Sequence, residues 1–383
     1  MKMKEKRRIA LLDWDMTVTG GVEAVAASLA RTLSEKYDVF FITVFEKNKQ
    51  LAYDLSPAKK FFCLKSQNSR LRSIMWEIRK PLRKFLRENN IDVVLLMGNY
   101  PAYAAIPSMK FNKTKFVYCD HGALINQIHQ RAITAMRLMT SIAADKTVVL
   151  TDKTRNDYIK YFHTKKSKIL TIHNWMDDRV TENAAPCDLD GKKVLSVGRF
   201  GEEKGYDLMV ETAKKFLPAH PDWQWHVYGE GETFEQIKSM IEKEGLQSQL
   251  KLMGNNPNVL SLYRNYSVFV LPSYREGLPL VLLEAKANKM PIVSFDIDTG
   301  PREMVDDGIN GFLIEPYDTD KMAQKLSLLS EDRQLLQSFS EQSKRKIERF
   351  SKPEIFGQWC GLIDGLSAKK KTKKTDNCLS EDK

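Results

Sequence analysis

Two α/β units in tandem, each a parallel sheet covered by helices, is the fold class that three observations predict for this 383-residue sequence. Short apolar runs recur along the chain and most are followed by an amphipathic stretch, as expected of buried parallel strands with crossover helices. The length suits two domains of ordinary size, each able to bury a core. Between residues 177 and 192, charged, small and proline residues (Asp178, Ala184, Pro186, Gly191) interrupt the periodicity and mark a boundary. Open sheets of this kind bind ligands at the carboxyl ends of their strands, so the expected site is a cleft between the two units.

The first series of strands is predicted over residues 9–12, 39–44, 93–97, 116–119, 147–150 and 169–172. After the first of them comes DWDMTVTGGVEAVAASLARTL, in which Gly20 and Gly21 precede a predicted helix over 22–33 and let the backbone approach a ligand. This loop is neither the dinucleotide fingerprint G-x-G-x-x-G nor a Walker A loop, since no G-K-S/T follows. Residues 69–87, SRLRSIMWEIRKPLRKFLR, set Leu71, Ile74, Ile78, Leu82 and Phe85 along one face, with seven arginines and lysines elsewhere. They predict a basic amphipathic helix, kinked or split at Pro81. Its basic side chains are either simply hydrated or docked on anionic lipid at about 1 kcal/mol per residue. The strand ending at Cys119 is followed by Asp120-His121-Gly122, which puts an aspartate and a histidine at a strand's carboxyl end.

The second series of strands is predicted over 194–197, 225–227, 250–253, 268–271, 292–295 and 312–314. In VLSVGRFGEEKGYDL, Arg199 and Lys204 fall between a strand and a helix, and Gly198 and Gly205 keep the approach open; two cations there suit a diphosphate. HVYGEGE and KLMGNNPNV add further strand-end loops, the second with Gly254 and Asn255. The densest stretch is SYREGLPLVLLEAKANKMPIVSFD, with Glu276 in a glycine-bearing loop and Glu284 inside the helix that follows. Pro279 suits the first helical turn, and backbone N–H groups from Gly277 and Leu278 to Val281 point at whatever sits above the strand. Their dipoles favour a phosphate. A carboxylate beside a phosphate repels it, so Glu276 and Glu284 read as acceptors for hydroxyls, and a nucleotide sugar carries both groups. Acidic residues near a helix start also stabilise its dipole by about 0.3–1 kcal/mol each without any ligand, so the spacing by itself allows both readings.

The chain carries 60 Lys+Arg against 49 Asp+Glu, a net +11, but residues 1–173 hold 31 against 15 and residues 174–383 hold 29 against 34. The amino-terminal half is therefore the one that meets an anionic partner. No aromatic-and-basic repeat, zinc-ligand spacing or RNP-like segment occurs, which sets nucleic acid aside in favour of an anionic membrane surface. Cys63, Cys119, Cys187, Cys360 and Cys378 form no short pairs and total an odd number, a pattern that fits a reducing cytosol. The apolar run 9–12 is too short for a signal peptide, and no run of about 18 apolar residues exists to span a bilayer.

The spacing E-x7-E, here EGLPLVLLE from Glu276 to Glu284, resembles the signature of retaining nucleotide-sugar glycosyltransferases of family 4. The family's G-R…K-G pattern, carried by Gly198, Arg199, Lys204 and Gly205, precedes it in the expected order, and the resemblance covers about residues 8–366. It implies two Rossmann-like domains facing each other across a cleft (GT-B type): an acceptor and membrane-facing domain over 1–177, a linker over 178–192 and a donor domain over 193–350. A helix over 351–366 then crosses back to the first domain, and a disordered basic tail occupies 367–383, with Lys369 to Lys374 a second candidate lipid contact. The implied reaction is metal-independent, cofactor-free and retaining. A hexose or N-acetylhexosamine moves from a nucleoside diphosphate, UDP, to a lipid-linked or other saccharide acceptor, with the enzyme peripheral on the cytoplasmic face of the plasma membrane.

By the same resemblance, the loop at Gly20 and Gly21 lies against the diphosphate and the acceptor, and His121 meets the anomeric carbon with Asp120 as its rival. Arg199, Lys204 and the helix start at Gly277 and Leu278 stabilise the departing diphosphate. Glu276 holds donor-sugar hydroxyls, Glu284 the ribose, and Asn255 lies near the base. The D-x-D spacings at Asp13–Asp15 and Asp296–Asp298 are not read as metal sites, because the basic residues supply the countercharge. Segments Leu150-Thr151-Asp152 and Ile172-His173-Asn174 match the family's first-domain closure, but Trp175 stands where the family often has glycine, which alters the local loop. Gly300 and Pro301 resemble a subset working on hexoses and N-acetylhexosamines. An epimerase or hydrolase of the same architecture, and a non-catalytic nucleotide- or lipid-binding protein, are the alternative readings.

Overall fold

The computed structural model describes residues 6–110, 113–176 and 178–367; most of the predicted basic tail, including Lys369 to Lys374, lies outside them. Seven strands form one parallel sheet: β1 (Arg8–Asp13), β2 (Asp38–Thr43), β3 (Lys60–Cys63), β4 (Val93–Met97), β5 (Lys115–Asp120), β6 (Lys146–Val149) and β7 (Ile169–Thr171). Six form the other: β8 (Lys193–Val197), β9 (Gln224–Tyr228), β10 (Leu250–Gly254), β11 (Val268–Leu271), β12 (Ile292–Phe295) and β13 (Gly311–Ile314). Their spatial orders are 3-2-1-4-5-6-7 and 10-9-8-11-12-13. Both orders reverse direction once, at β1/β4 and at β8/β11, and such a switch point opens a crevice at the strands' carboxyl ends. Chain order and compactness do not coincide. The chain divides into one unit of Met1–Asp120, Ala135–Val148 and Phe356–Lys383, and a second of His121–Thr134 and Val149–Ile355.

The strands form because their side chains are apolar on both faces, as a sheet covered on both sides requires. In β11, Val268 and Val270 join the cluster containing Trp225 and Phe216, whereas Phe269 and Leu271 join the opposite cluster with Leu195 and Leu282. That alternation is the period of two of a strand, with hydrophobic partners on each side. Twelve of the thirteen strands lie where the sequence places them, within one or two residues at each end. The exception is β3, a four-residue edge strand with a half-exposed pattern, whose short run Phe61-Phe62-Cys63-Leu64 between lysines the predicted series leaves out.

Helix α1 (Gly21–Ser34) begins one residue before its expected start, and α2 (Leu71–Glu88) is a single helix through Pro81 rather than two. The proline removes one backbone bond, but Ile74, Ile78, Leu82, Phe85 and Leu86 are buried on both sides of it and hold the helix to its core. Its basic residues are not all hydrated. Arg83 Nη2 donates to the carbonyls of Pro107 at 2.6 Å and Lys110 at 2.8 Å, closing the last turn of α3 (Asn99–Met109). Exposed to solvent are a stripe at four-residue intervals, Arg72, Trp76, Lys80 and Lys84, and beyond it Arg87 and Glu88. Trp76 is 63% exposed, with the Arg79 guanidinium carbon 5.3 Å from its ring centroid.

The helix Lys352–Ser367 follows the predicted crossing-back segment, and from Phe356 onward it belongs to the first unit. Its Asp364 accepts from Lys36 Nζ at 2.9 Å and Tyr37 Oη at 3.0 Å and pairs with Arg7 at 3.3 Å. Among the described residues no helix is long and apolar enough to cross a membrane.

Candidate active site

The loop after β8 and the loop after β11 are brought together because those strands are neighbours, with Val194 beside Val268 and Leu195 beside Phe269. Gly205 makes the approach possible. It sits at φ +62°, and a Cβ there would lie 2.1 Å from the carbonyl oxygen of Pro272, so only glycine fits. Lys204, one residue earlier, thereby meets the predicted glutamate: its Nζ lies 2.8 Å from Glu276 Oε1. The same oxygen accepts from Ser273 Oγ at 2.8 Å. The main chain of Glu276 is also held, its carbonyl accepting from Thr299 Oγ1 at 2.5 Å and Asn126 Nδ2 at 3.4 Å. The Glu276 side chain is 9% exposed, so its charge is largely removed from water and its position over-determined.

Arg199 is 64% exposed on its side chain and reaches Glu203 Oε1 at 3.1 Å and Glu232 Oε1 at 3.8 Å. Burial opposes ionisation of Glu203, but hydrogen bonds from its own backbone N–H and from Arg199 outweigh it and hold the carboxyl below the usual range. Donating to the Glu203 carboxylate in turn raises the Arg199 guanidinium above its usual value. Gly198 takes the Tyr206 hydroxyl on its carbonyl at 3.1 Å.

Glu284 lies in the helix Leu280–Ala287, where its Oε2 accepts from the hydroxyl of Tyr263. Tyr263 is fully buried and stacked on Phe269, and burial followed by the charge of Glu284 raises its phenol well above its usual range. It therefore remains a hydrogen-bond donor that aims the carboxylate. Pro279 is extended, at φ −74° and ψ 96°, and forms the cap residue rather than part of the first turn. A proline cannot donate, so it ends the loop as readily as it begins a helix, and the helix starts one residue later.

His121 follows directly on β5, as expected. Its carbonyl oxygen lies 3.0 Å from the point a Cβ on Gly277 would occupy, so Gly277 serves a close approach of two backbones and lies two residues ahead of the cap Pro279, not at the expected helix start. Asp120, the rival, is 1% exposed and paired with the equally buried Arg137 at 3.4 Å, a structural commitment within the first unit. A cavity of about 430 Å³ is lined by Glu203, Lys204, Arg275 and Glu276 together with amide side chains of the segment after His121, among them Asn126 and Gln130. Asn255 is exposed at the end of β10, its N–H 3.4 Å from Glu230 Oε1.

Gly20 and Gly21 belong to the other unit. There the N–H and carbonyl of Gly20 are both engaged by the Tyr53 hydroxyl, at 3.1 and 2.9 Å, and the Glu23 carboxylate lies over the Gly20 Cα. Nearby, Asp13 is pushed up to about 7 by burial, then by the charge of Glu23. Of the D-x-D aspartates, Asp15 has both oxygens occupied, by Thr17 and by the Lys47 N–H, and Asp296 is paired with Arg302. Tyr263 and Asn126 were not read from the sequence. They come from 21 and 150 residues away from the glutamates they contact, and no local signal marks either.

A family model for glycosyl transferases group 1 matches residues 179–346, and one for glycosyltransferase family 4 matches residues 19–180. An uncharacterized glycosyltransferase of Haemophilus influenzae is 25% identical over 93% of this chain and 100% of its own length. The N-acetylgalactosamine-N,N′-diacetylbacillosaminyl-diphospho-undecaprenol 4-alpha-N-acetylgalactosaminyltransferase of Campylobacter jejuni is 25% identical over 88% of this chain and 94% of its own length. Among solved structures, S. aureus TarM in complex with fondaparinux, alpha-GlcNAc-glycerol and UDP aligns over 94% of this chain and 100% of that one, with a TM-score of 0.71 at 16% identity.

Proposed function

The chain belongs to the glycosyltransferase family 4 that these two matches describe, with a GT-B fold of two parallel-sheet α/β domains, and from that premise we propose a retaining, metal-independent hexosyl or N-acetylhexosaminyl transfer from UDP to a membrane-associated, lipid-linked saccharide. The observation that carries this reading is the contact of Lys204 with Glu276 in one cavity, a cation for a diphosphate beside a carboxylate for sugar hydroxyls. In transfer, the bond from the anomeric carbon to the diphosphate oxygen breaks with its electron pair going to the diphosphate, the acceptor hydroxyl oxygen forms the new bond, and its proton passes to the departing diphosphate. Lys204 and Arg199 meet that developing charge, which is where preorganised electrostatics lower a barrier most. Glu276 orients the donor sugar, Glu284 the ribose and His121 the anomeric carbon. The cations supply the countercharge a metal would otherwise provide, and of the D-x-D aspartates Asp15 and Asp296 already hold protein partners.

The lipid-linked acceptor follows the C. jejuni relative, whose name specifies a diphospho-undecaprenol saccharide. The exposed stripe of Arg72, Trp76, Lys80 and Lys84 supports a peripheral position on the cytoplasmic face of the plasma membrane, since an interfacial tryptophan among basic residues suits an anionic headgroup layer. Incubation with labelled UDP-sugars, with and without lipid-linked saccharides, tests the assignment, and proton NMR of the product reads the anomeric configuration. Acceptor-dependent transfer with the donor's α-configuration kept is the expected result. Release of free sugar or epimer without transfer, or an inverted product, would sink it.

A further inference from the structure

Each cation assigned to the diphosphate already holds a carboxylate: Lys204 is paired with Glu276, and Arg199 with Glu203 and Glu232. The cavity has a third lining cation, Arg275, whose side chain makes no ion pair among the described residues. Its backbone is anchored. The N–H groups of Tyr274 and Arg275 both donate to the carbonyl of Glu203, at 2.9 and 3.3 Å, and the Tyr274 hydroxyl donates to Asp207 at 2.6 Å. The guanidinium thus projects from a fixed base at an exposed position. Both lining carboxylates, Glu203 and Glu276, are taken by other cations, and the segment after His121 contributes the uncharged amides of Asn126, Gln127 and Gln130.

We propose that Arg275 is a phosphate-binding residue of this pocket, an inference that rests on the glycosyltransferase reading above. A guanidinium presents a planar fork of donors that matches two phosphate oxygens at once, and no protein carboxylate competes for it here. Binding at Arg275 leaves the Lys204–Glu276 pair intact, so it is the cavity's first available anion contact. Two phosphates could occupy it, one in the donor's diphosphate and one borne by a lipid-linked acceptor.

Arg275→Ala and Arg275→Lys distinguish the sources. UDP affinity is measured by calorimetry, and kcat and KM are compared for an acceptor with a diphosphate and for the same saccharide without one. A charge-assisted contact predicts a loss above about tenfold in the alanine variant, partly recovered by lysine, which keeps the charge without the fork. If the donor phosphate is the partner, UDP affinity falls and donor KM rises with both acceptors. If the acceptor phosphate is the partner, UDP affinity holds and kcat/KM falls only with the phosphorylated acceptor. Unchanged values throughout, or equal losses with both acceptors at unchanged UDP affinity, overturn the proposal. A wild-type protein that neither binds UDP nor transfers sugar would instead remove the functional reading on which it rests.

Discussion

At the scale of single residues, the contact between Lys204 and Glu276 means that the ligand-free site is already satisfied. UDP without a sugar must draw Lys204 away and leave Glu276 charged and 9% exposed with only Ser273 to bond it. Glu276→Gln removes that obstacle, so the variant should bind UDP about three- to tenfold more tightly, on the order of 1 kcal/mol, by calorimetry. Its sugar transfer should fall more than about tenfold, as should that of Lys204→Ala. Unchanged or weaker UDP binding in Glu276→Gln would mean that Lys204 does not meet the diphosphate. Asp13 makes a second prediction. Its folded value of about 7 lies above the unfolded one of 3.8, so its stabilising share is complete below about pH 4 and is lost as pH rises through 7. Asp13→Asn is spared that loss. Its stability relative to wild type, from denaturant unfolding, should therefore grow by about 3 kcal/mol between roughly pH 5 and pH 8, at about 1.36 kcal/mol per unit over some two units. A difference that does not change with pH would show that Asp13 is ionised throughout. The placement of Arg199, Lys204 and Glu276 was legible because each lies between a strand and the helix after it, and that of Glu284 because it falls inside such a helix. Tyr263 and the Asp120–Arg137 pair were not, since burial and long-range pairing leave no pattern in neighbouring residues.

At the scale of elements, alternating apolar runs made nearly every strand legible, because a strand buried on both faces has few polar positions to confuse it. Strand β3 escaped because an edge strand needs pairing on one side only and tolerates exposure. In α2 the hydrophobic face was legible, but the fate of each basic residue was not: only tertiary structure turns Arg83 inward to the α3 carbonyls. This decides which residues test membrane docking. Reversing the exposed Arg72, Lys80 and Lys84 to glutamate should abolish sedimentation with anionic vesicles at low salt while leaving thermal unfolding nearly unchanged, whereas Arg83→Glu should destabilise the fold. Wild-type sedimentation should weaken as salt rises, because screening acts over about 8 Å at physiological ionic strength. Binding that survives the three reversals would assign the contact to another surface.

At the scale of the whole molecule, charge and topology divide the chain differently from sequence order. The excess of basic residues falls in the first half, while the segment from His121 to Thr134 belongs to the compact unit built mostly from the second. Sequence periodicity sees strands in order and has no means of detecting which unit a connecting segment joins. The return of the helix Lys352–Ser367 has a consequence for how the molecule is made. Arg7, Lys36 and Tyr37 find their partner in Asp364, which is joined to the growing chain more than 300 residues later. While the ribosome is still extending the polypeptide, the first unit emerges with those groups uncovered, and loop closure over such a distance is slow. These groups therefore stay without that partner until Asp364 has left the exit tunnel. During that interval a chaperone has its longest opportunity to bind.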